Sequence, residues 1–91
     1  MTKNKNFVQI EILFARLLNL LVDLFTELEI KEVLEFVDVG EYGTALETLC
    51  FIIAEENKKI TKELYDQIKY LGISMRMESE IWESIRLHVE A

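Results

Sequence analysis

The sequence EIKEVLEFVDVGEYGTALETL, from Glu29 to Leu49, contains the predicted end of one helix and the predicted start of the next. Two of the chain's three glycines, Gly40 and Gly43, lie in this stretch. An acidic helical pattern precedes them, and an apolar one follows. Glycine suits the left-handed residue that closes a helix, and a carboxylate at Glu41 complements the start of the next helix dipole. The stretch therefore predicts two helices joined by a tight turn.

Acidic side chains recur at every third position of this stretch. On a helix, residues three or four apart are neighbours, and like charges there cost roughly 0.2–0.5 kcal/mol per pair. Only Lys31 lies among them to offset that cost. The pattern is therefore either ordinary solvated surface or one half of an interface with a basic partner. We call these residues the acidic series: Glu29, Glu32, Glu35, Asp38 and Glu41.

The length and the charge restrict the class of protein. A chain of 91 residues with 51% apolar residues predicts one folded domain, residues 1–91, with a hydrophobic core. The net charge of −7 and the pI near 4.7 argue against nucleic-acid binding and against an anionic membrane surface. They favour a cationic partner, which we expect to be a protein.

The cysteine count and the N-terminal segment indicate a reducing compartment. Cys50 is the only cysteine, which excludes a disulfide framework and fits a cytoplasmic protein. The apolar segment after residue 6 is interrupted by Glu11 and Arg16 and has no small-residue cleavage site, so we predict no signal peptide. The longest apolar stretch, Ile12 to Val22, is too short to span a bilayer.

The absence of proline and the scarcity of glycine predict long helices. The apolar periodicity indicates about five, and their short connections favour a compact all-α bundle of antiparallel helices. Gly72 is predicted to end the fourth helix, Ile73 to Met77 to form a loop, and Trp82 to lie in the core. The predicted helices run from about Asn6 to Leu24, Glu27 to Val39, Glu41 to about Asn57, Thr61 to Leu71 and Glu78 to Val89.

Three features of these helices leave alternatives open. The first helix has a broad apolar stripe, which suits a central helix but also one that is partly exposed and dimerises. Thr26 followed by Glu29 fits a capping box at the start of a separate second helix. A continuous helix through Thr26 also fits. Gly43, in the first turn of the third helix, would be explained by the close approach of another helix or of a partner.

No arrangement of side chains predicts catalysis or a cofactor. Paired carboxylates such as Glu55 with Glu56 show no sign of the cleft that would shift their pKa values. His88 lacks the Glu-x-x-His spacing of a di-iron bundle. Cys50 falls on the apolar face of the third helix, where a thiol is buried and inert. We therefore expect no enzyme activity, no cofactor and no metal.

The sequence VDVGEYGTALETL, residues 37–49, followed by Ile53, the pair Glu55–Glu56 and the sequence ITKEL, resembles the MafI family of small immunity proteins. This family includes immunity proteins of contact-dependent inhibition systems. The likeness covers most of the chain in layout, and only residues 37–49 are specific. The distinctive positions are Val37, Gly40, Glu41, Gly43, Ala45, Leu46, Glu47 and Leu49.

The resemblance implies a helical cytoplasmic protein that binds a bacterial toxin domain and blocks it. Toxins of such systems are commonly nucleases, and RNases related to EndoU are one association. Because a nuclease holds phosphate in a basic site, an acidic helix could occupy that site or its approach. The alternative hypothesis is a helical adaptor or regulatory subunit that dimerises through the first helix. The predicted toxin-binding residues are Glu29, Glu32, Glu35, Asp38, Glu41 and, as an aromatic anchor, Tyr42.

Overall fold

Five α-helices and one short 3₁₀ helix form the part of the chain that the computed structural model describes, residues 5–90. No β-strand occurs among these residues, and the all-α prediction is confirmed. The helices are α1 (Lys5–Leu21), α2 (Glu27–Asp38), α3 (Tyr42–Glu55), α4 (Lys62–Ser74) and α5 (Glu80–Glu83), and the 3₁₀ helix is Arg86–His88.

The chain turns sharply between α1 and α2, which excludes a continuous helix through Thr26. Helix α1 ends at Leu21, earlier than predicted, and the carbonyl of Leu21 accepts the N–H groups of Leu24 and Phe25 at 2.9 and 2.8 Å. The hydroxyl of Thr26 accepts the N–H of Glu29 at 3.1 Å, and the carboxylate of Glu29 accepts the N–H of Thr26 at 2.9 Å. Both hydrogen bonds of the predicted capping box are therefore present.

Helices α2, α3 and α4 each end in one residue with left-handed backbone geometry: Gly40 (φ +79°), Asn57 (φ 49°) and Arg76 (φ 58°). At the end of α2, the N–H of Gly40 donates to the Val37 carbonyl at 3.0 Å. The N–H of Glu41 donates to the Phe36 carbonyl at 2.8 Å. The ends of α3 and α4 repeat this pair of bonds. All three are Schellman motifs, which satisfy carbonyls of the last helical turn. The prediction that Gly40 closes its helix is confirmed.

Helix α3 lies at the centre of the core, with seven buried residues among its 14. It packs most extensively on α2, and residues 27–56 are called the α2–α3 hairpin below. The apolar periodicity of the sequence predicts that Leu20 and Leu34 point inward, but both are exposed. The same periodicity predicts a buried face on the third helix, and all its members are buried: Ala45, Leu46, Leu49, Cys50 and Ile53.

Gly72 lies inside α4, so the prediction that it ends the helix is wrong. The helix continues to Ser74 and includes the first two residues of the predicted loop. A Cβ atom built on Gly72 would lie 2.5 Å from two ring atoms of Trp82, far inside van der Waals contact. Trp82 is buried, as predicted. Glycine is required here because the indole ring packs directly on the helix backbone.

The fifth helix is a single turn, Glu80–Glu83, and does not extend to Val89 as predicted. The N–H of Ile60 donates to the His88 carbonyl at 2.9 Å, and the N–H of Glu90 donates to the Ile60 carbonyl at 2.8 Å. These bonds form an isolated parallel bridge between Ile60 and Val89. Because the backbone groups of these last residues bond to Ile60, they cannot continue a helix. The bridge holds this segment against the start of α4.

Candidate protein-interaction site

The acidic series winds around α2 and does not form a straight line. A step of three residues falls about 60° short of a full helical turn, because successive residues are about 100° apart. Glu29 and Asp38 therefore lie on opposite sides of the helix. Glu32, Glu35 and Asp38 are exposed, and Glu29 lies at the edge of the buried face. The exposed part is a curved band, with Glu35 pointing directly away from the core.

The exposed carboxylates of the acidic series are not neutralised by the chain's own bases. Among the side chains that the structure describes, no lysine or arginine forms an ion pair with Glu32, Glu35, Asp38 or Glu41. The α2–α3 hairpin contains nine acidic residues and one basic residue, a formal charge of −8. The rest of the chain sums to +1 within the total of −7. The negative charge of the protein is therefore concentrated in this hairpin.

Glu29, a predicted toxin-binding residue, is engaged within the fold. Its Oε1 lies 3.0 Å from Lys58 Nζ, and both side chains are mostly buried. The same ammonium donates to the Leu24 carbonyl at 3.0 Å and lies 5.2 Å from the ring centroid of Phe25. The hydrogen bond from the N–H of Thr26, and then the bond from Lys58, lower the pKa of Glu29, while partial burial opposes them. Glu29 therefore joins the α1–α2 turn to the α3–α4 turn.

Tyr42, the predicted aromatic anchor, is buried and does not project from the surface. Its side chain is only 8% exposed, and its ring lies 5.7 Å from the ring of Phe7 and 6.4 Å from that of Phe14. Its hydroxyl donates to Glu11 Oε2 at 2.6 Å. These partners all come from α1, about 30 residues earlier in the chain. In this structure Tyr42 fastens the start of α3 to α1.

Glu41 is exposed at the N-cap position of α3, and its side chain makes no capping hydrogen bond. Next to it, a Cβ atom built on Gly43 would meet only the terminal methyl of Met77, at 3.7 Å. This is an ordinary van der Waals distance. No packed helix within the described residues therefore requires glycine at position 43. The carboxylate of Glu41 is free to face solvent or a partner.

A shallow groove between α2 and α3 brings carboxylates together with an exposed aromatic ring, and the sequence predictions missed it. Phe51 is 61% exposed. Glu47 and Glu55, four residues before and after it, share its side of α3. An aromatic residue with glutamate at both of these positions is the sequence signal that could have found it. The groove has a volume of about 410 Å³ and is lined by Glu29, Glu32, Phe51, Ile52, Glu55 and Glu56.

The other candidate chemical groups have structural surroundings. Burial raises the pKa of the Cys50 thiol to about 12, so the thiol is not a nucleophile at neutral pH. His88 Nδ1 lies 3.1 Å from the Lys58 carbonyl oxygen. Within residues 5–90, no group of three or more His, Cys, Asp or Glu is placed to hold a metal ion.

Nothing in the described part of the chain forms a helix with the length and apolar character needed to cross a membrane. Comparisons of the chain with protein-family models, with curated proteins and with solved structures found no match.

Proposed function

We propose that this protein is an immunity protein that binds a basic bacterial toxin domain through the α2–α3 hairpin and neutralises it. The observation that carries the proposal is the formal charge of −8 in residues 27–56, with exposed carboxylates that no described lysine or arginine pairs. The resemblance of residues 37–49 to the MafI family supports the same function.

The proposed mechanism is competition for a basic site. A nuclease holds its substrate through positive groups that contact phosphate, and an acidic helical surface is attracted to the same groups. Opposite fields can raise association rates to about 10⁸–10⁹ M⁻¹s⁻¹. Rapid binding protects a cell in whose cytoplasm toxin and immunity protein meet. The mechanism requires no catalysis by this chain and no cofactor.

The surface that we propose differs from the one predicted from the sequence alone. It keeps the exposed carboxylates Glu32, Glu35, Asp38 and Glu41. It leaves out Glu29 and Tyr42, because the fold already uses their polar groups. In place of Tyr42 it uses Phe51, which is exposed beside the carboxylates of the groove. An aromatic ring within a charged rim is a common arrangement at the centre of an interface.

The test is a triple charge reversal, Glu32→Lys, Glu35→Lys and Asp38→Lys. The proposed binding partner is a basic C-terminal toxin domain of a secreted protein, to be sought in the gene immediately upstream of this chain. We expect affinity to fall at least about 100-fold, because each reversal replaces an attraction with a repulsion and 1.4 kcal/mol is a factor of ten. Circular dichroism should show an unchanged helix content, since all three side chains are exposed.

The matched control is Glu63→Lys, Glu78→Lys and Glu90→Lys, which changes the net charge by the same amount at exposed positions outside the hairpin. We expect it to retain most of the affinity. Equal losses for both triple variants would show that only the net charge matters, and an unchanged affinity for the first would show that the hairpin is not the site. The absence of a basic domain in the neighbouring gene would remove the proposed partner.

A further inference from the structure

The outer face of α1, on the side away from the core, carries an unpartnered apolar row. Ile12 points directly outward and is 41% exposed, and Val8 and Val22 are 45% and 56% exposed. A surface helix normally presents charged and polar residues on this side, whereas this row contains four apolar residues and one asparagine. We call five exposed residues the outer row: Val8, Ile12, Ala15 and Asn19 of α1, and Val22, which directly follows the last residue of the helix.

The spacing of the outer row is that of a two-helix seam. Its members are separated by four, three, four and three residues, which is the alternation of the two apolar positions of a coiled-coil heptad. Ile12 and Asn19 occupy one of these positions, and Val8, Ala15 and Val22 occupy the other. A β-branched residue and a single asparagine at the first position are typical of parallel two-stranded pairs.

We propose that α1 of one protein molecule pairs in parallel with α1 of a second copy, through the outer row and in register. Parallel pairing places each residue of the row opposite its own counterpart. Asn19 then faces Asn19 of the other copy, and its amide can both donate and accept a hydrogen bond there. An antiparallel seam pairs the two heptad positions with each other, so it would instead place Asn19 opposite one of the apolar residues Val8, Ala15 or Val22.

The charges beside the outer row favour a second copy over a basic toxin. The row itself contains no charged residue. Glu11 and Arg16 flank it, five residues apart and of opposite sign, at the positions that face each other across a parallel pair. The Glu11 carboxylate accepts the Tyr42 hydroxyl within the fold, so it contributes its charge here and not a free hydrogen-bond acceptor. Two copies of this strongly acidic protein can therefore approach here without the repulsion that their α2–α3 hairpins would cause. A basic partner would meet Arg16 and little acidic surface.

The size of the row predicts a weak dimer. From Val8 to Val22 the row is about 21 Å long, and a helix with its side chains is about 10–12 Å wide. An interface of this size falls at or below the roughly 1,000 Å² total that specific interfaces usually exceed. We therefore expect a dissociation constant between about 10 and about 100 µM.

Sedimentation equilibrium of the full chain, from about 5 to about 200 µM, tests the association. The wild-type protein should shift from monomer to dimer over this range. Ile12→Glu should weaken the dimer at least about 100-fold, because it buries two like charges in the seam. The matched control Leu87→Glu, at a side chain that is 94% exposed elsewhere, should dimerise like the wild type. A wild-type protein that stays monomeric, or an Ile12→Glu variant that dimerises equally well, would overturn the proposal.

Cysteine cross-linking tests the parallel register. In the proposed dimer two Val8→Cys residues face each other, whereas in an antiparallel pair each lies opposite a residue of the other heptad position. A disulfide needs Cα atoms within about 7 Å. We expect rapid disulfide formation by Val8→Cys and slow formation by the exposed control Glu63→Cys, with the buried Cys50 unreactive. Equal rates for the two variants would overturn the parallel arrangement.

Toxin binding separates this inference from the proposed function. Ile12→Glu should bind a basic nuclease domain as tightly as the wild type, because the outer row is not part of the α2–α3 hairpin. If the wild-type protein is monomeric and Ile12→Glu loses toxin binding, the toxin and not a second copy covers the outer row. That outcome would overturn the homodimer, and an α1 dimer without toxin binding would uphold it.

Discussion

At the scale of single residues, the contact between Glu29 and Lys58 joins two turns that are far apart in the sequence. Because the pKa of Glu29 is lowered in the folded state, its ionised form stabilises the fold above the unfolded pKa. That contribution is lost as the pH falls through the folded-state value, below the ordinary value of 4.5. A carboxylate that sequence reasoning assigned to binding thus has a role in stability.

We expect Glu29→Gln to be less stable than the wild type at pH 7, and the difference to narrow as the pH falls below 4.5 and Glu29 loses its charge. Glutamine can keep the capping hydrogen bond, so this variant isolates the charge. Urea unfolding at pH 7 and at a series of acidic pH values measures the difference. Exposed Glu63→Gln is the control and should show little difference across the series. A stability gap for Glu29→Gln that stays the same across the series would contradict the prediction.

Two helical glycines should respond in opposite directions to the same substitution. Gly72→Ala should destabilise the protein by about 1–3 kcal/mol, because the new methyl group meets the Trp82 ring. Gly43→Ala should be neutral or stabilising by up to about 1 kcal/mol, since alanine favours a helix and its Cβ has room. Thermal and urea unfolding of the two variants measure the contrast. Destabilisation of equal size at both positions would contradict it.

At the scale of helices, local signals predicted the starts of α2, α3 and α4 and the end of α2 to within one residue. The capping box at Thr26 and the left-handed Gly40 depend on residues within one helical turn, so the sequence pattern is sufficient to find them. The role of Gly72 and the length of the fifth helix were predicted wrongly, because both depend on contacts with residues far away in the sequence. Trp82 makes Gly72 a packing residue, and Ile60 takes the hydrogen bonds that a longer fifth helix would need.

The end of α4 offers a stabilising substitution. Arg76 has φ 58°, a conformation that costs a residue with a side chain about 1–2 kcal/mol and costs glycine little. Arg76→Gly should therefore raise the free energy of unfolding by about 1 kcal/mol, as measured by urea titration. Lys69→Gly, in the exposed middle of the same helix, is the matched control and should lower it by about the same amount. A loss of stability in both variants would contradict the left-handed geometry of Arg76.

At the scale of the whole molecule, the charge distribution could be predicted from the sequence, but the details of the candidate site could not. The acidic residues of the α2–α3 hairpin are adjacent in the chain, and local helical geometry exposes most of them. The burial of Tyr42 depends on Phe7, Phe14 and Glu11, which only tertiary packing brings to it. Phe51 was missed because its exposure depends on which side of α3 the core covers.

The proposed function predicts that salt slows association with a basic toxin domain. Raising the ionic strength from about 0.01 to about 1 M shortens the screening length from about 30 to about 3 Å. The association rate should therefore fall at least about tenfold, with a smaller change in the dissociation rate. Stopped-flow mixing measures both rates. The charge-reversed variant of Glu32, Glu35 and Asp38 should show a weaker salt dependence, and an association rate unaffected by salt would contradict electrostatic attraction.

The uneven charge of the α2–α3 hairpin also gives the molecule a large permanent dipole. A nearby positive body exerts a torque on a dipole before any atoms touch, so the protein would rotate until the hairpin faces that body. If α1 pairs as inferred, the two dipoles of a dimer are related by a twofold axis, and their components across that axis cancel. A dimer would then be oriented only by the components along the axis, and two toxin domains could approach it independently.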